Sequence, residues 1–173
     1  MKDLLLVASA ITSRKSFASF IACVTSAEYW FLIYMALFEK YLIVQQSTLP
    51  KAGKGLFTTV FIAPGTLIVE YKGNITTWAA VKSNKNFNGY VYYINRNHVI
   101  DAKPDKKWLG RYANDAKGLS KSKAKRNNCC YTIINNRVFI KAIKKINAGE
   151  ELFVGYGKEY WDVIKYNNRL KKR

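Results

Sequence analysis

Cysteine and histidine are scarce in this chain of 173 residues, which contains three cysteines and one histidine. Cys129 and Cys130 are adjacent and Cys23 lies far from both, so the chain has no CxxC pair. A tetrahedral zinc site needs four such ligands at workable spacing, so the sequence predicts no metal site. The odd number of cysteines argues against a disulfide framework, and reduced thiols suit a nuclear or cytoplasmic protein.

Acidic residues are also few: the chain has 11 of them against 29 lysines and arginines, which gives a formal net charge of +18. The charges of residues 1–39 cancel, so the whole excess lies in residues 40–173. A basic surface of this size attracts polyanions such as nucleic acid. A second explanation stays open, because Lys, Asn, Ile and Tyr are all abundant and AT-rich coding sequence produces the same bias.

Apolar runs long enough to cross a membrane are missing as well. The uninterrupted run at residues 29–38 has ten residues, whereas a membrane span needs about 20. We therefore expect no stable membrane span and interpret residues 1–39 as an apolar N-terminal extension of undetermined role. A weak membrane anchor is one alternative. Another is a functional start at Met35, which would give a compact protein of 139 residues.

From residue 40 onward, short runs of β-branched and aromatic residues alternate with glycine turns. This pattern predicts a β-rich domain at residues 40–157, followed by a basic C-terminal helix or tail at residues 158–173. Asn135 and Asn136 are the predicted turn of a hairpin, and residues 78–81 are a predicted helical turn. The predicted strands are residues 41–44, 56–60, 67–71, 90–94, 98–100, 131–134 and 137–143.

Four short motifs carry glycine or polar residues that strand packing alone does not require. They are GKG at residues 53–55, YKG at 71–73, RYANDA at 111–116 and GEELFVGYG at 149–157. The two glycine motifs are weak signals, because most such glycines only form turns.

Two residues of the later motifs suit ligand binding. Asn114 offers both hydrogen-bond donors and an acceptor, although an Asx turn is the alternative explanation. Tyr156 lies between two glycines, which suits either a buried packing residue or a phenol directed at a small site. We interpret Glu150 and Glu151 as structural, with one of them accepting hydrogen bonds from backbone amides.

Taken in order, these motifs resemble those of the SET-domain protein-lysine methyltransferases. The resemblance covers about residues 40–160 and includes the tyrosine-rich strand at 90–94 and the Asn128-Cys129 pair. One departure is clear: the family's usual RFxNHS loop reads RYANDA here, so Asp115 and Ala116 replace histidine and serine. The chain also lacks the cysteine clusters that often flank the SET domain, as in the small single-domain members.

The resemblance implies a mainly β (β-rich α+β) SET fold of several small antiparallel sheets. Its C-terminal segment would be threaded in a pseudoknot-like crossing that brings Asn114 and Tyr156 to one site. The implied activity is transfer of a methyl group from S-adenosyl-L-methionine to a lysine side chain of a protein, with histones as the default substrate class.

The resemblance also implies a role for each site residue. The implied catalytic residues are Tyr156, Tyr71 and Tyr92, the last two as walls of a lysine channel, with ordinary strand packing as the alternative. Trp161 or Tyr160 would stack on the adenine of the cofactor, with a helix anchor as the alternative for Trp161. The implied cofactor-binding residues are Lys54, Gly55, Asn114, Asp115, Tyr156 and Trp161.

Three functional hypotheses follow. The first is an active lysine methyltransferase of the nucleus or cytoplasm that modifies a histone tail and contacts nucleosomal DNA. The second is a catalytically inactive SET module that binds chromatin or nucleic acid through its basic surface, although the retained Asn114 and Tyr156 argue against decay. The third is a nucleic-acid binder without methylation, which only the charge supports. The C-terminal segment alone, or a partner in a homodimer, would close the site.

Overall fold

The computed structural model describes residues 38–84, 87–118 and 125–170. Nearly all of the predicted N-terminal extension, including Met35, lies outside the described residues. Within those ranges, no helix is both long enough and apolar enough to cross a membrane.

The described chain consists mostly of short antiparallel strands. Two α-helices, α1 (Trp78–Ser83) and α2 (Lys158–Leu170), and a 3-10 helix (Leu109–Tyr112) accompany them. The strands are β1 (Leu42–Gln46), β2 (Lys54–Thr58), β3 (Leu67–Glu70), β4 (Asn74–Thr76), β5 (Val91–Asn95), β6 (His98–Asp101), β7 (Cys129–Ile134) and β8 (Arg137–Ala142). They form three sheets with the orders β1-β2, β3-β8-β7 and β4-β6-β5. The predicted β-rich fold of small antiparallel sheets is therefore confirmed.

The predicted hairpin at residues 131–143 forms as β7 and β8. Ile134 pairs with Arg137, which leaves a two-residue turn of Asn135 and Asn136. Both asparagines have positive φ angles, 49° and 58°. This is the signature of a type I′ turn, whose twist matches that of the flanking strands. Asparagine tolerates this region better than most residues, because its short polar side chain bonds locally.

The strand bounds differ from the predicted ones by a few residues, most usefully at β2. This strand begins at Lys54 rather than at residue 56, because β1 provides pairing partners for Lys54 and Gly55. The GKG motif is therefore partly a strand, and its backbone is held by a neighbouring strand rather than by a free turn.

The core lies where β3 and β8 meet the segment of residues 151–154. Ile68, Ile140, Leu152 and Val154 have no exposed surface, and Leu56 of β2 is equally buried. Burying an aliphatic side chain of this size contributes roughly 1.5–3 kcal/mol. Core packing therefore fixes the segment that leads directly into Tyr156.

The same segment passes between two parts of the chain that a single loop connects. The amide of Val154 donates to the carbonyl oxygen of Asn114 at 2.8 Å. On the other side, the amide of Cys129 donates to the carbonyl oxygen of Phe153 at 2.9 Å. Both bridges are parallel. Asn114 and Cys129, the two ends of residues 114–129, thus lie on either side of the C-terminal segment, which is the arrangement of a pseudoknot-like crossing.

We predict that the β7–β8 turn discriminates between side chains at position 136. Asn136→Ala should lower the free energy of unfolding by about 1 kcal/mol, because alanine has no local hydrogen bond to offset the strain of a positive φ angle. Asn136→Gly should keep or raise it, since glycine adopts this region freely. Urea unfolding monitored by circular dichroism measures both, and equal losses in the two variants would contradict the turn assignment.

Candidate active site

A cavity of about 810 Å³ opens at the crossing. Its lining comes from segments that lie far apart in the sequence, which the crossing and the small sheets bring together. Gly55 is the one predicted site residue outside the lining, and it is buried. The predicted residues that line the cavity are Lys54, Tyr71, Tyr92, Asn114, Asp115, Tyr156, Tyr160 and Trp161.

Both the backbone amide and the side-chain hydroxyl of Tyr156 donate hydrogen bonds within the protein. Its amide donates to a carboxylate oxygen of Asp115 at 2.9 Å, and its hydroxyl donates to the carbonyl oxygen of Ala113 at 2.9 Å. No described residue donates a hydrogen bond to the phenol oxygen. The hydroxyl proton is therefore used in a hydrogen bond within the protein, while the lone pairs of the oxygen remain available as acceptors.

Asn114 is fixed in one orientation. Its side-chain nitrogen donates to the carbonyl oxygen of Lys54 at 3.0 Å and to a carboxylate oxygen of Glu151 at 3.1 Å. Its own backbone carbonyl accepts the Val154 amide at the crossing. Because both amide hydrogens have partners, the side-chain carbonyl oxygen is what Asn114 can offer to a ligand in the cavity.

Asp115 joins the crossing to the C-terminal helix. Its carboxylate is buried, and each oxygen accepts two hydrogen bonds. One oxygen accepts from the side chain of Asn127 and the amide of Lys117. The other accepts from the amide of Tyr156 and the indole nitrogen of Trp161. Four donors fill the capacity of a carboxylate, so Asp115 is satisfied from within the protein.

Trp161 and Tyr160, near the start of α2, pack on Tyr156. The Trp161 ring lies nearly parallel to the Tyr156 ring, with 5.8 Å between centroids, and the Tyr160 ring meets the Tyr156 ring edge-on at 4.8 Å. A Cβ atom on Gly118 would lie 2.6 Å from the Trp161 ring, so a larger residue at 118 would displace the indole. These contacts are those of a helix anchor. The contact of Trp161 with adenine stays a prediction.

Three tyrosines form a wall on the other side of the cavity. Tyr71, Tyr92 and Tyr131 contact one another with ring centroids 4.9–6.0 Å apart. The hydroxyl of Tyr71 donates to the carbonyl oxygen of Tyr90 at 3.0 Å. The sequence interpretation missed Tyr131; its position just after Asn128-Cys129, in a strand paired with β8, was the available signal.

These phenols stay protonated far above neutral pH. Burial is the main cause that raises the pKa of Tyr71, Tyr131 and Tyr156 well above the ordinary value near 10. Burial also raises the pKa values of Tyr92 and Tyr160. The cavity is thus lined by neutral hydroxyl groups, and none of them offers a phenolate base at pH 7.

Arg111 is a second residue to which the sequence interpretation assigned no role. Its guanidinium carbon lies 4.2 Å from the centroid of the Tyr90 ring, a cation–π contact. One guanidinium nitrogen donates to the carbonyl oxygens of Lys103 and Asp105. The positive charge opposes the increase in the pKa of Tyr71 that burial causes. Arg111 therefore places a fixed cation beside the tyrosine wall.

Cys129 is not a candidate nucleophile. Cys129 is buried, and burial raises the pKa of its thiol to about 12. A thiol with so high a pKa is unreactive at neutral pH. In the part of the chain that the structure describes, no group of three histidine, cysteine, aspartate or glutamate side chains could hold a metal ion.

We predict that the buried tyrosines limit stability at alkaline pH. In the unfolded chain these tyrosines lose their protons near pH 10, whereas in the folded chain they keep them to higher pH. Their contribution to the free energy of unfolding is therefore complete below pH 10 and is lost as the pH rises above it. Over that range, each such tyrosine should add about 1.4 kcal/mol per pH unit to the decrease in the free energy of unfolding. Urea unfolding between pH 9 and about 11.5 should show Tyr131→Phe with a shallower slope than the unaltered chain. Tyr93 is exposed, so Tyr93→Phe is the control, and an unchanged slope in Tyr131→Phe would refute the prediction.

Comparison with known proteins gives a consistent result. The family model described as "SET domain" matches residues 53–157. N-lysine methyltransferase KMT5A of Xenopus tropicalis is 28% identical over 120 residues, which is 61% of this chain and 33% of that protein. Histone-lysine N-methyltransferase set-17 of Caenorhabditis elegans is 30% identical over 122 residues, 68% of this chain and 41% of that protein.

The chain therefore spans between a third and about two fifths of the length of these curated relatives. The family model covers more than half of the chain and ends at residue 157, just after Tyr156. The motifs, the crossing and the family match agree, and we conclude that the chain belongs to the SET-domain family.

Proposed function

We propose that this chain is a protein-lysine methyltransferase that uses S-adenosyl-L-methionine. The observation that carries the proposal is that the crossing brings Tyr156 and Asn114, 42 positions apart in the sequence, to the lining of one cavity with a wall of neutral tyrosines. The family match and the names of the two relatives support the same activity.

The cavity has features that suit the cofactor. Its volume of about 810 Å³ lies within the usual range of roughly 300–1,000 Å³ for small-molecule sites. The carbonyl oxygen of the Asn114 side chain suits an ammonium group, and the rings of Tyr160 and Trp161 suit a flat heterocycle. We propose that Lys54 and Gly55 contribute through their backbone. When bound, S-adenosylmethionine would supply an activated methyl group on a positively charged sulfur.

For Asp115 we propose a role different from the cofactor contact that the family resemblance implies. Since four internal donors use its carboxylate, we propose that it supports the cofactor site by holding Tyr156 and Trp161 in place. Trp161 would then contribute its ring edge or free face while its indole nitrogen remains bonded to Asp115.

The tyrosine wall would favour a neutral lysine amine. A free lysine has a pKa near 10.4, so only roughly one amine in two thousand is neutral at pH 7. A narrow, partly dry channel disfavours the charged form. The nearby cation of Arg111 acts in the same direction. Because the tyrosines are protonated, we propose that the amine loses its proton to water rather than to a side chain.

The phenol oxygens would align the amine. Tyr156 and Tyr71 both donate their own protons to backbone carbonyls, which leaves their oxygens to accept from an amine. Correct alignment of reacting groups can lower a barrier by roughly 7–11 kcal/mol. Tyr92 and Tyr131 would close the channel around the aliphatic part of the lysine.

Histones are the proposed substrate class, because one relative is named a histone-lysine methyltransferase. The net charge of +18 favours contact with nucleosomal DNA over contact with a free basic tail.

The same net charge also favours a second candidate function, an inactive module that binds chromatin through its basic surface. Labelled S-adenosylmethionine with free histones and with reconstituted nucleosomes separates the two. Label transfer supports the enzyme, whereas salt-dependent nucleosome binding without transfer supports the module.

We predict that Tyr156→Phe loses at least about 100-fold in the transfer rate, the usual cost of removing one polar group that acts on the reacting atoms. Its affinity for S-adenosylmethionine, measured by calorimetry, should stay within about threefold, because the ring is retained. Tyr93→Phe, an exposed tyrosine outside the cavity lining, is the matched control. Wild-type transfer rates in Tyr156→Phe would contradict the catalytic role proposed for the Tyr156 hydroxyl.

We predict that Asn114→Ala weakens binding of S-adenosylmethionine by roughly 10- to 100-fold, the range expected for loss of a hydrogen bond to a charged group. Asn128→Ala is the control, because Asn128 also bonds the 151–153 segment but does not line the cavity. Calorimetry should show near-normal affinity in the control. An equal loss in both variants would indicate a folding effect and count against the cofactor contact.

A further inference from the structure

Glu151 has a buried carboxylate that bonds Asn114, a residue of the cavity lining. Its side chain is 3% exposed, and no lysine or arginine of the described ranges forms an ion pair with it. Four neutral donors satisfy it instead. One oxygen accepts from the Ser47 hydroxyl at 2.7 Å and from the Asn114 amide nitrogen at 3.1 Å. The other accepts from the backbone amide and the hydroxyl of Thr48 at 2.7 and 2.6 Å.

This carboxylate also contacts the GKG motif. A Cβ atom on Gly55 would lie 2.1 Å from the same oxygen of Glu151 that accepts from Asn114. Any side chain at position 55 would therefore displace the carboxylate. Glu151 thus joins three segments: the loop at Ser47 and Thr48, the start of β2, and Asn114 of the RYANDA motif.

The contact decides which end of the Asn114 side chain faces the cavity. The two amide hydrogens of Asn114 are used by Glu151 and by the carbonyl oxygen of Lys54. If the amide turned over, its oxygen would face two acceptors, which is unfavourable. The carbonyl oxygen is therefore held toward the cavity as an acceptor.

We propose that Glu151 is a positioning residue that sets the polarity of the cofactor site by orienting the Asn114 amide. The inference rests on the proposed function, since it makes the cavity able to accept a hydrogen bond from a cationic group of the bound cofactor. Glu151 itself does not line the cavity, so it acts only through Asn114.

The geometry explains why a glutamate, and not a glutamine, occupies this position. The Thr48 amide can only donate, whereas the Ser47 and Thr48 hydroxyl groups can rotate and the Asn114 amide can turn over. In Glu151→Gln, the side-chain oxygen should stay opposite the Thr48 amide, which places the new NH₂ group against Asn114. Asn114 then has no orientation that satisfies both neighbours: in the original one its NH₂ group opposes the new NH₂ group, and turned over its oxygen opposes the carbonyl oxygen of Lys54. Its carbonyl oxygen is therefore no longer held toward the cavity.

The first test compares two neighbouring variants. Glu151→Gln should weaken binding of S-adenosylmethionine by roughly 10- to 100-fold and raise the KM for it, while kcat at saturation changes by less than about threefold. Glu150 is exposed and its carboxylate accepts from the Asn147 amide in its own turn, so Glu150→Gln is the matched control. Equal affinities in the unaltered chain and Glu151→Gln would overturn the inference. A chain that binds no cofactor at all would overturn the proposed function.

The second test measures the orientation of the Asn114 amide and needs neither activity nor bound cofactor. In the unaltered chain, NMR of the ¹⁵N-labelled side-chain amide should show both Asn114 hydrogens protected from exchange with water, and in Glu151→Gln the protection should be lost. Fast exchange in the unaltered chain would overturn the inference, even if Glu151→Gln did not fold.

A double variant completes the design. In Glu151→Gln with Asn114→Asp, one oxygen of the new carboxylate can accept from the Gln NH₂ group and the other can face the cavity, while the hydrogen bond to the Lys54 carbonyl oxygen is lost. We expect the double variant to bind S-adenosylmethionine about tenfold more tightly than Glu151→Gln, because a carboxylate is a stronger acceptor for an ammonium group than an amide is. A general structural defect should not be reversed by a second substitution, so a double variant that binds no more tightly than Glu151→Gln would contradict the orientation mechanism.

Discussion

The passage of residues 151–154 between the two ends of a single loop is the constraint on which the rest of the site depends. The backbone of this segment bonds Asn114 on one side and Cys129 on the other, while Leu152 and Val154 are buried in the core. Threaded arrangements are generally avoided by proteins. Here the buried apolar side chains and the backbone hydrogen bonds stabilise the same segment, so Tyr156 emerges at a fixed place beside Asn114.

A crossing of this kind buries polar groups, and two carboxylates satisfy them. Asp115 and Glu151 are both buried and each accepts four hydrogen bonds from neutral donors. A buried carboxylate is costly unless its lone pairs are satisfied. All of these bonds except the one from the Lys117 amide come from residues more than ten positions away in the sequence. Loss of either carboxylate would therefore release several segments from the crossing at once.

The sequence could predict the parts of this structure that depend on local chemistry and on motif order. The Asn135-Asn136 turn follows from backbone preferences, and the β-rich fold follows from short strands between glycines. The partners of Asp115 could not be predicted, since they come from residues up to 46 positions away in the chain. Tyr131 and Arg111 were missed for the same reason: a tyrosine in a strand and an arginine in a loop acquire roles only through the rings that they contact.

The departure from the usual family loop at Asp115 has a physical consequence for the helix that follows the crossing. α2 lies against Tyr156 through Trp161, whose ring is nearly parallel to the Tyr156 ring. A histidine at position 115 could not accept four hydrogen bonds, whereas the carboxylate accepts the Tyr156 amide and the Trp161 indole on one oxygen. One acidic residue thus bonds both the segment that ends at Tyr156 and the helix that follows it, so the position of α2 depends on the residue that departs from the family pattern.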